Sequence, residues 1–209
     1  MFQMTNDGAV ATYGDYAIDL AGTDVYNEMT THDFDLIKDG KTLGIGYCYE
    51  CFGIIVNKAL LAKAGHDISE ITNFETLKAV AEDIHARADE LGFDAFTNAG
   101  LADSSSWRFT GHLITVPLHY EGITSKTEIK GTYLDEYKNI WDLYLNNSAT
   151  DKVANNEAGD GAEAEFGEGK AVFYQNGSWE YSALTANYGM NADDLQMIPI
   201  YCGHEGEEN

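Results

Sequence analysis

The chain has 209 residues, 44% of them hydrophobic, so it is long enough for one large domain or two small ones with a real core. Its 12 basic residues are set against 35 acidic ones, which gives a formal net charge of −23 at pH 7. Such a field repels nucleic acids and anionic membranes, because binding to phosphates requires clustered lysine and arginine. The composition therefore excludes a nucleic-acid partner and favours a neutral or cationic one.

The two ends of the sequence indicate a fragment. Residues 1–7 lack the basic and apolar regions of a signal peptide, and no run of about 18 apolar residues could span a membrane. The C-terminal end is abrupt, because the apolar stretch 198–201 is followed by only eight more residues. We therefore expect the sequence to be a fragment of a longer protein.

Hydrophobic periodicity predicts helices that alternate with short apolar strands. The clearest helix begins after Thr72 or Asn73 and ends before Gly92, because its apolar residues recur at spacings of three and four. The predicted strands lie at 43–49, 53–56, 93–97, 171–175 and 195–201, and the predicted helices at 23–31, 58–64, 74–91, 104–119, 132–146 and 179–188. Residues 1–41 are otherwise predicted to be irregular. The alternation is typical of an α/β architecture with a partly parallel sheet.

A tryptophan follows a predicted strand and turn near the C-terminal end. Lys170 leads into a buried strand, Asn176-Gly177 is predicted to form a tight turn, and Trp179 comes two residues later. Trp179 is then either a core residue at the start of the next helix or a stacking surface for the face of a sugar ring. The same asparagine also fits a glycosylation sequon, which we interpret as part of the turn.

Three cysteines raise the question of a metal site. Cys48, Cys51, Cys202 and His204 would be a four-ligand zinc set. Against this, the first two cysteines are predicted on a strand, where residues three apart point to opposite faces and cannot share a metal without a bulge. The acidic segment 155–169 fails the spacing of a calcium loop and is predicted to enter a short helix. We therefore predict small hydrophobic cysteines and no metal.

Three stretches, in the expected order, resemble the extracellular sugar-binding proteins of ABC transporters. They are "GIGYCYECFGIIVNKALLAKAG" followed by "ITNFETLKAVAEDI", then "FGEGKAVFYQNGSWEYSAL", then "LQMIPIYCG". The resemblance covers about residues 42–203 and is greatest to the family 1 branch of maltodextrin- and oligosaccharide-binding proteins. It implies a periplasmic-binding-protein-like, two-lobed α/β fold of type II, present here mainly as the second lobe with part of the first.

The resemblance also implies an organisation and a function. Residues 1–46 would be a partial first lobe, 47–53 a hinge crossover, 54–196 the second lobe, and 197–209 a return crossover and truncated end. A neutral mono- or oligosaccharide would be bound between the lobes and delivered to ABC transporter permease subunits, without catalysis and without a cofactor. The protein is expected to be a monomer and to be extracellular, as a cell-surface lipoprotein or in the periplasm. Its signal segment would lie outside this chain.

The resemblance assigns two of the ligand contacts to the tryptophan segment. Trp179 matches the family's stacking tryptophan, and the predicted turn would place it at the mouth of the cleft. Glu180 beside it either accepts hydrogen bonds from sugar hydroxyls or simply lies in the first helical turn, where the helix dipole favours an acid. Trp141, by its helical spacing, is assigned to the core.

A second group of contacts is expected elsewhere in the chain. Glu50 interrupts an apolar stretch and matches a ligand-binding acid at the first crossover, although an ion pair with a nearby Lys or Arg is the alternative. Tyr49 flanks it as a ligand residue or, like Phe52, as a core residue. In the second lobe, Trp107 is expected to be an aromatic contact and Arg108 a donor to sugar hydroxyls. Asn6 and Asp7 are expected in a loop of the first lobe.

Two other functional classes compete with the binding protein. A glycoside hydrolase needs two positioned carboxylates, and the sequence offers only Glu50 and Glu180 near predicted strand ends. No nucleophile-elbow, zinc-protease, phosphate-loop or dinucleotide motif is present. A non-catalytic carbohydrate-adhesion or structural module is the second alternative, and in a module that binds nothing Trp179 would be a core residue.

Overall fold

The computed structural model describes residues 3–4, 7–98, 100–102, 105–122, 129–149 and 159–207. The chain divides into two compact units, Met1–Glu50 and Cys51–Asn209. Within the described ranges, no helix has both the length and the apolar character needed to cross a membrane.

The first unit consists of short helices and a two-stranded hairpin. Its elements are α1 (Asp7–Tyr13), a 3₁₀ turn (Gly14–Tyr16), α2 (Asp24–Asn27), β1 (Leu36–Lys38) and β2 (Lys41–Gly44). Asp39 and Gly40 make the hairpin turn with positive φ angles of 54° and 75°, as two-residue turns of this kind require. Helix α2 is shorter than the helix predicted at 23–31, and Thr23 caps it by accepting a hydrogen bond from the Tyr26 amide at 3.3 Å.

The strand predicted over 43–49 ends early. β2 stops at Gly44, where its antiparallel ladder with β1 also ends, and residues 45–51 have no regular secondary structure. The side chains of Tyr47, Cys48, Tyr49 and Glu50 are exposed. The strand prediction was wrong here because β-prone residues do not form a strand without a neighbouring strand to pair with.

The second unit is built on a four-stranded mixed sheet. Its strands are β3 (Phe52–Asn57), β4 (Asp94–Phe96), β5 (Ala171–Gly177) and β6 (Leu195–Ile198). Their order across the sheet is β4–β5–β3–β6, in which β4 and β5 run parallel and the other two pairs are antiparallel. The predicted α/β architecture with a partly parallel sheet is confirmed.

Helical segments connect these strands. They are α3 (Lys58–Lys63), a 3₁₀ turn (Ile68–Glu70), α4 (Phe74–Ala86), α5 (Ala88–Leu91), a π-helical segment (Arg108–Leu113), α6 (Ile114–Tyr120), α7 (Leu134–Asn146), α8 (Gly159–Gly167), α9 (Glu180–Ala186) and a 3₁₀ turn (Ala192–Asp194). Asn57 caps α3 as predicted, because its side-chain oxygen accepts from the Leu60 amide at 3.1 Å. The helix predicted over 74–91 is divided at Arg87, which ends α4 and precedes α5.

Each face of the sheet carries its own apolar core. Along β3, Ile54 and Val56 point into the larger core together with residues of α4 and α7, whereas Ile55 points to the opposite face. There it packs with Phe166 of α8 and Leu184 of α9. Trp141 packs against the larger core, as predicted. The two cores hold the strand ends in fixed positions, and a cluster of aromatic side chains lies near one such end.

The tight turn predicted at Asn176-Gly177 is wrong. Both residues belong to β5, where they pair with Gly53 and Phe52 of β3. The chain turns one residue later, and the Ser178 amide donates to the carbonyl of the residue before Phe52, Cys51, at 2.8 Å. A local Asn-Gly signal could not show that a strand far away in the sequence pairs with these residues.

Candidate ligand-binding site

Four ring-bearing side chains of the second unit form what we call the aromatic cluster: Phe52, Trp107, His112 and Trp179. The imidazole of His112 lies parallel to the Phe52 ring, with centroids 4.0 Å apart and an interplanar angle of 1°. Its centroid is 4.8 Å from that of Trp107 and 5.7 Å from that of Trp179. The ring centroids of Trp107 and Trp179 are 6.2 Å apart. The structure therefore brings together two of the predicted ligand residues, Trp107 and Trp179.

The cluster is assembled from three separate elements. Phe52 begins β3, directly opposite Gly177 of β5, and Trp179 follows two residues after that strand ends. Trp107 directly precedes the π-helical segment and His112 lies within it; this segment replaces part of the helix predicted over 104–119. π-helical turns are rare and are found frequently at functional sites.

The cluster is partly open to solvent. Trp107 is 41% exposed and Phe52 is 40% exposed, whereas Trp179 and His112 are half-buried. The interpretation of Phe52 as a core residue was wrong, because its position at the first residue of β3 leaves its ring beyond the covered part of the sheet. Partly exposed aromatic side chains that contact one another are typical of ligand surfaces.

Arg108 and Glu180 lie behind the aromatic cluster and are both buried. The Arg108 guanidinium lies 4.9 Å from the Trp107 ring centroid, in a cation–π contact. Its Nε and Nη1 have no hydrogen-bond partner among the described residues. Arg108 forms no ion pair within the described part of the chain.

Glu180 is the first residue of α9 and is held by its neighbour on β5. Its Oε1 accepts from Asn176 Nδ2 at 2.8 Å, while its Oε2 has no partner in the described ranges. Burial and the nearby carboxylate of Glu163 raise the pKa of Glu180, and the positive charge of Arg108 acts in the opposite direction. The carboxyl group is thus placed beside Trp179 as predicted, but facing inward.

The candidates in the first unit are placed differently. Glu50 is exposed at the end of an irregular segment, so the premise of a costly buried carboxylate was wrong. Tyr49 is 83% exposed, which rules out the core role considered for it. The centroid of its ring lies 5.7 Å from that of Phe34. Asp7 is the first residue of α1, and Asn6 lies outside the described residues.

Two polar residues of the site were not identified from the sequence. His112 is central to the aromatic cluster, and Gln175 of β5 donates from Nε2 to His112 Nδ1 at 3.0 Å. The spacing of Trp107, Arg108 and His112 on one helical segment was the available signal. The contact with Gln175 could not be predicted from the sequence, because it depends on where β5 lies relative to that segment.

The cysteines do not assemble into a metal site among the described residues. Of the cysteines predicted to be small hydrophobic residues, Cys48 and Cys51 are exposed and Cys202 is buried. Burial raises the pKa of the Cys202 thiol to about 12. No group of three or more His, Cys, Asp or Glu side chains in the described ranges has the arrangement of a metal site.

An apolar cavity of about 360 Å³ lies on the smaller-core face of the sheet. Its lining includes Ile55, Leu184, Leu195 and Met197, together with the exposed ring of Tyr181. The lining contains few polar groups, so it is poorly suited to a ligand rich in hydroxyl groups.

The chain matches the model of a protein family described as bacterial extracellular solute-binding protein, over residues 1–206. It is also similar to solved structures. One is the GacH receptor of Streptomyces glaucescens, described unliganded and with acarbose; the sequence identity is 21%, the TM-score is 0.64, and the match covers 94% of this chain and 50% of that one. Another is RafE, a protein of Streptococcus pneumoniae described with raffinose, with 17% identity, a TM-score of 0.64, and coverage of 95% of this chain and 53% of that one. A third structure comes from work on xylan utilisation by Caldanaerobius polysaccharolyticus, with 18% identity, a TM-score of 0.63, and coverage of 94% of this chain and 52% of that one.

These matches establish the fold and show what share of the matched structures the chain spans. The fold expected from the sequence, the α/β fold of two-lobed solute-binding proteins, is confirmed, and the chain spans about half the length of the structures it matches. No curated protein sequence matches the chain.

Proposed function

Because the chain belongs to the bacterial extracellular solute-binding proteins, we propose that the whole protein binds a neutral mono- or oligosaccharide and delivers it to the permease subunits of an ABC transporter. The family and the matched structures are solute-binding proteins rather than enzymes. The sugar would therefore be released unchanged.

The observation that carries the proposal is the aromatic cluster with its hydrogen-bonding groups. Sugar rings have C–H faces that pack on aromatic side chains, and hydroxyls that need donors and acceptors. The cluster provides partly exposed indole rings at Trp107 and Trp179, with the Arg108 guanidinium and the hydrogen-bonded pair of His112 and Gln175 next to them. A net charge of −23 makes an anionic ligand unfavourable and fits a neutral one.

The ligands of the similar proteins support a carbohydrate. GacH is described with acarbose and RafE with raffinose, and another similar structure is a chitin oligosaccharide binding protein. Identity to each is at most 21%, so the particular sugar does not transfer to this chain. The choice among sugars must come from this chain's own residues.

We assign roles to the candidate residues on this basis. Trp179 and Trp107 would stack on sugar rings, and Arg108 and Glu180 would support the polar contacts. Tyr49 and Glu50 would contribute from the hinge crossover, and Asn6 and Asp7 from the first lobe. The lobes would follow the boundaries expected from the sequence: 1–46 for the partial first lobe, 47–53 for the crossover, 54–196 for the second lobe and 197–209 for the return.

The family is extracellular, and we propose a monomeric protein held at the cell surface as a lipoprotein or free in the periplasm. One similar structure is described as a probable secreted solute-binding lipoprotein from Streptomyces coelicolor, which supports the first alternative. Labelling of intact cells, with and without a lipid-anchor inhibitor, would distinguish the two locations.

The test is a titration of tryptophan fluorescence in the whole protein with acarbose, raffinose, xylo-oligosaccharides and chito-oligosaccharides, followed by chromatography of each sugar. We expect saturable binding of at least one sugar and its recovery unchanged. Cleaved sugar would identify a glycoside hydrolase instead. No response to any sugar would favour the structural module. The 209-residue chain alone should bind more weakly than the whole protein, because it spans half the length of the matched structures.

A further inference from the structure

His112 occupies the centre of the aromatic cluster, yet it is a polar residue that aromatic packing does not require. Its ring is in contact with Phe52, Trp107 and Trp179, so every displacement of the imidazole would move the surface on which a ligand ring would pack. A phenylalanine would provide the same area without the cost of desolvating two ring nitrogens. The nitrogens therefore need an explanation.

Gln175 determines which of the two nitrogens carries the proton. Its Nε2 donates to His112 Nδ1 at 3.0 Å, so Nδ1 must be the acceptor and the proton of the neutral ring is on Nε2. Gln175 is itself 4% exposed, and its position on β5 is fixed by pairing with Ile54 of β3. The imidazole is thus held in one tautomer by a buried side chain on a central strand.

The surroundings also keep the imidazole uncharged. Burial, followed by the positive charge of Arg108 on the same π-helical segment, lowers the pKa of His112 to about 4, and the bond to Gln175 opposes this only partly. Glu180 at the start of α9 faces Arg108, and the contacts from β3 and the other side of the cluster are the uncharged rings of Phe52, Trp107 and Trp179. The ring is neutral throughout the physiological range of pH.

The remaining nitrogen, Nε2, is available. It makes no hydrogen bond within the described part of the chain, and it is not among the buried polar atoms without partners, so it reaches solvent. Gln175 Oε1, by contrast, is closed off from solvent and has no partner among the described residues. The Nε2–H of His112 is therefore a donor that is fixed in direction and free to meet a ligand.

Resting on the proposed function, we propose that His112 is a ligand-binding and specificity-determining residue: an uncharged imidazole, fixed by Gln175, whose Nε2–H donates to an acceptor oxygen of a sugar packed on the aromatic cluster. A neutral donor selects for a hydroxyl or ring oxygen at this point and against a protonated amino group, which has no lone pair and would leave Nε2–H without an acceptor.

The first arm of the test needs no ligand. Long-range proton–nitrogen NMR correlations of the chain labelled with ¹⁵N-histidine distinguish the two neutral tautomers from the protonated ring, and H112Q identifies the His112 signals by their loss. We expect the Nε2–H tautomer, with signals unchanged between pH 7.5 and 5.5. The Nδ1–H tautomer, or protonation within this interval, would overturn the proposal.

The second arm measures sugar affinity in the whole protein with the same four classes of sugar. H112F keeps a ring beside Phe52 but has no donor, and should weaken binding about tenfold, the effect of one hydrogen bond. H112Q should recover part of this loss, because its amide nitrogen can occupy the place of Nε2. Q175M should give mixed tautomers and an intermediate affinity. H119F is the control, since His119 is exposed and lies outside the cluster.

The two proposals fail in different ways. If the wild-type protein binds a sugar and H112F binds it equally well, the role of His112 is overturned while the sugar-binding function stands. If the wild-type protein binds none of the sugars, the proposed function fails and the ligand role of His112 fails with it. Circular dichroism and thermal unfolding of H112F and H112Q identify a loss of affinity that comes from a loss of folding.

Discussion

The indole ring of Trp179 lies directly against the backbone of Gly177, in the place that a side chain at residue 177 would occupy. A Cβ atom there would overlap with Cζ3, Cη2 and Cε3 of the indole. Gly177 does not need glycine for a turn, because it is a paired strand residue opposite Phe52. It needs glycine so that the ring can approach the strand.

We therefore expect G177A to displace the indole. Overpacking of this kind costs about 1–3 kcal/mol of unfolding free energy, and tryptophan emission should shift as the ring moves towards solvent. Urea unfolding followed by circular dichroism and by fluorescence measures both effects.

G111A is the matched control for this substitution. A Cβ on Gly111 would meet no atom within 4 Å, so alanine there should be neutral or stabilise by up to about 1 kcal/mol. If G177A had wild-type stability and emission, the ring would not be confined by the strand.

W179A should weaken sugar binding by about 2 kcal/mol or more, the range for an aromatic anchor. Calorimetric titration is the suitable measurement, because the substitution itself changes the fluorescence. Y181A removes another aromatic ring, 53% exposed, from α9, the helix that follows Trp179, and should leave the affinity unchanged. Equal affinities of W179A and the wild type would rule out a stacking role.

E180Q should stabilise the protein at pH 7.5 but not at pH 4. The pKa of Glu180 is raised in the folded state, so this group favours folding below its ordinary pKa of about 4.5, and this contribution is lost as the pH rises through the raised value. Glutamine keeps the acceptor for Asn176 and removes the buried charge. We expect a melting temperature about 2–4 °C higher at pH 7.5, the shift for roughly 1 kcal/mol at this size.

The control for Glu180 is E168Q, because Glu168 is exposed beyond the end of α8. It should change the melting temperature little at either pH. A loss of stability in E180Q at pH 7.5 would instead mean that attraction between Glu180 and Arg108 outweighs the cost of burial.

Two tyrosines of α7 test the energetic cost of an unpaired hydroxyl. The Tyr144 hydroxyl is buried without a partner among the described residues, and burial raises its pKa. Y144F should therefore be neutral or stabilising, by up to about 1 kcal/mol. Tyr137 donates to the Phe109 carbonyl at 2.7 Å, so Y137F should destabilise by a similar amount. Chemical unfolding compares the two, and the opposite order would show that Tyr144 has a partner.

The parts of the fold that the sequence predicts well are those with local causes. Asn57 caps α3 through a residue three positions away, and α7 begins and ends within two residues of its predicted bounds, 132–146, because its apolar face has a regular period. The predictions failed where the secondary structure depends on pairing between strands. The hairpin of β1 and β2 was not expected, and Asn176-Gly177 became strand residues because β3 pairs with them.

The candidate site shows the same division. Trp107, Arg108, Trp179 and Glu180 were selected from the family resemblance, together with their residue types and their positions next to predicted elements. His112 and Gln175 were missed because each gains its significance from the other, and 63 positions separate them in the sequence. Local sequence carries no record of such a contact.

The order of strands has a consequence for how the molecule folds. β3 lies between β5 and β6, and the Cys51 amide at its start reaches the hydroxyl of Ser178, 127 residues later in the chain. During synthesis β3 therefore emerges long before either neighbour, so its apolar side chains have no strand to pair with until nearly the whole second unit exists. Closing such long loops is slow, and we expect refolding to be limited by the docking of β5 and β6. Since Trp179 follows β5, its fluorescence would report the last step of folding.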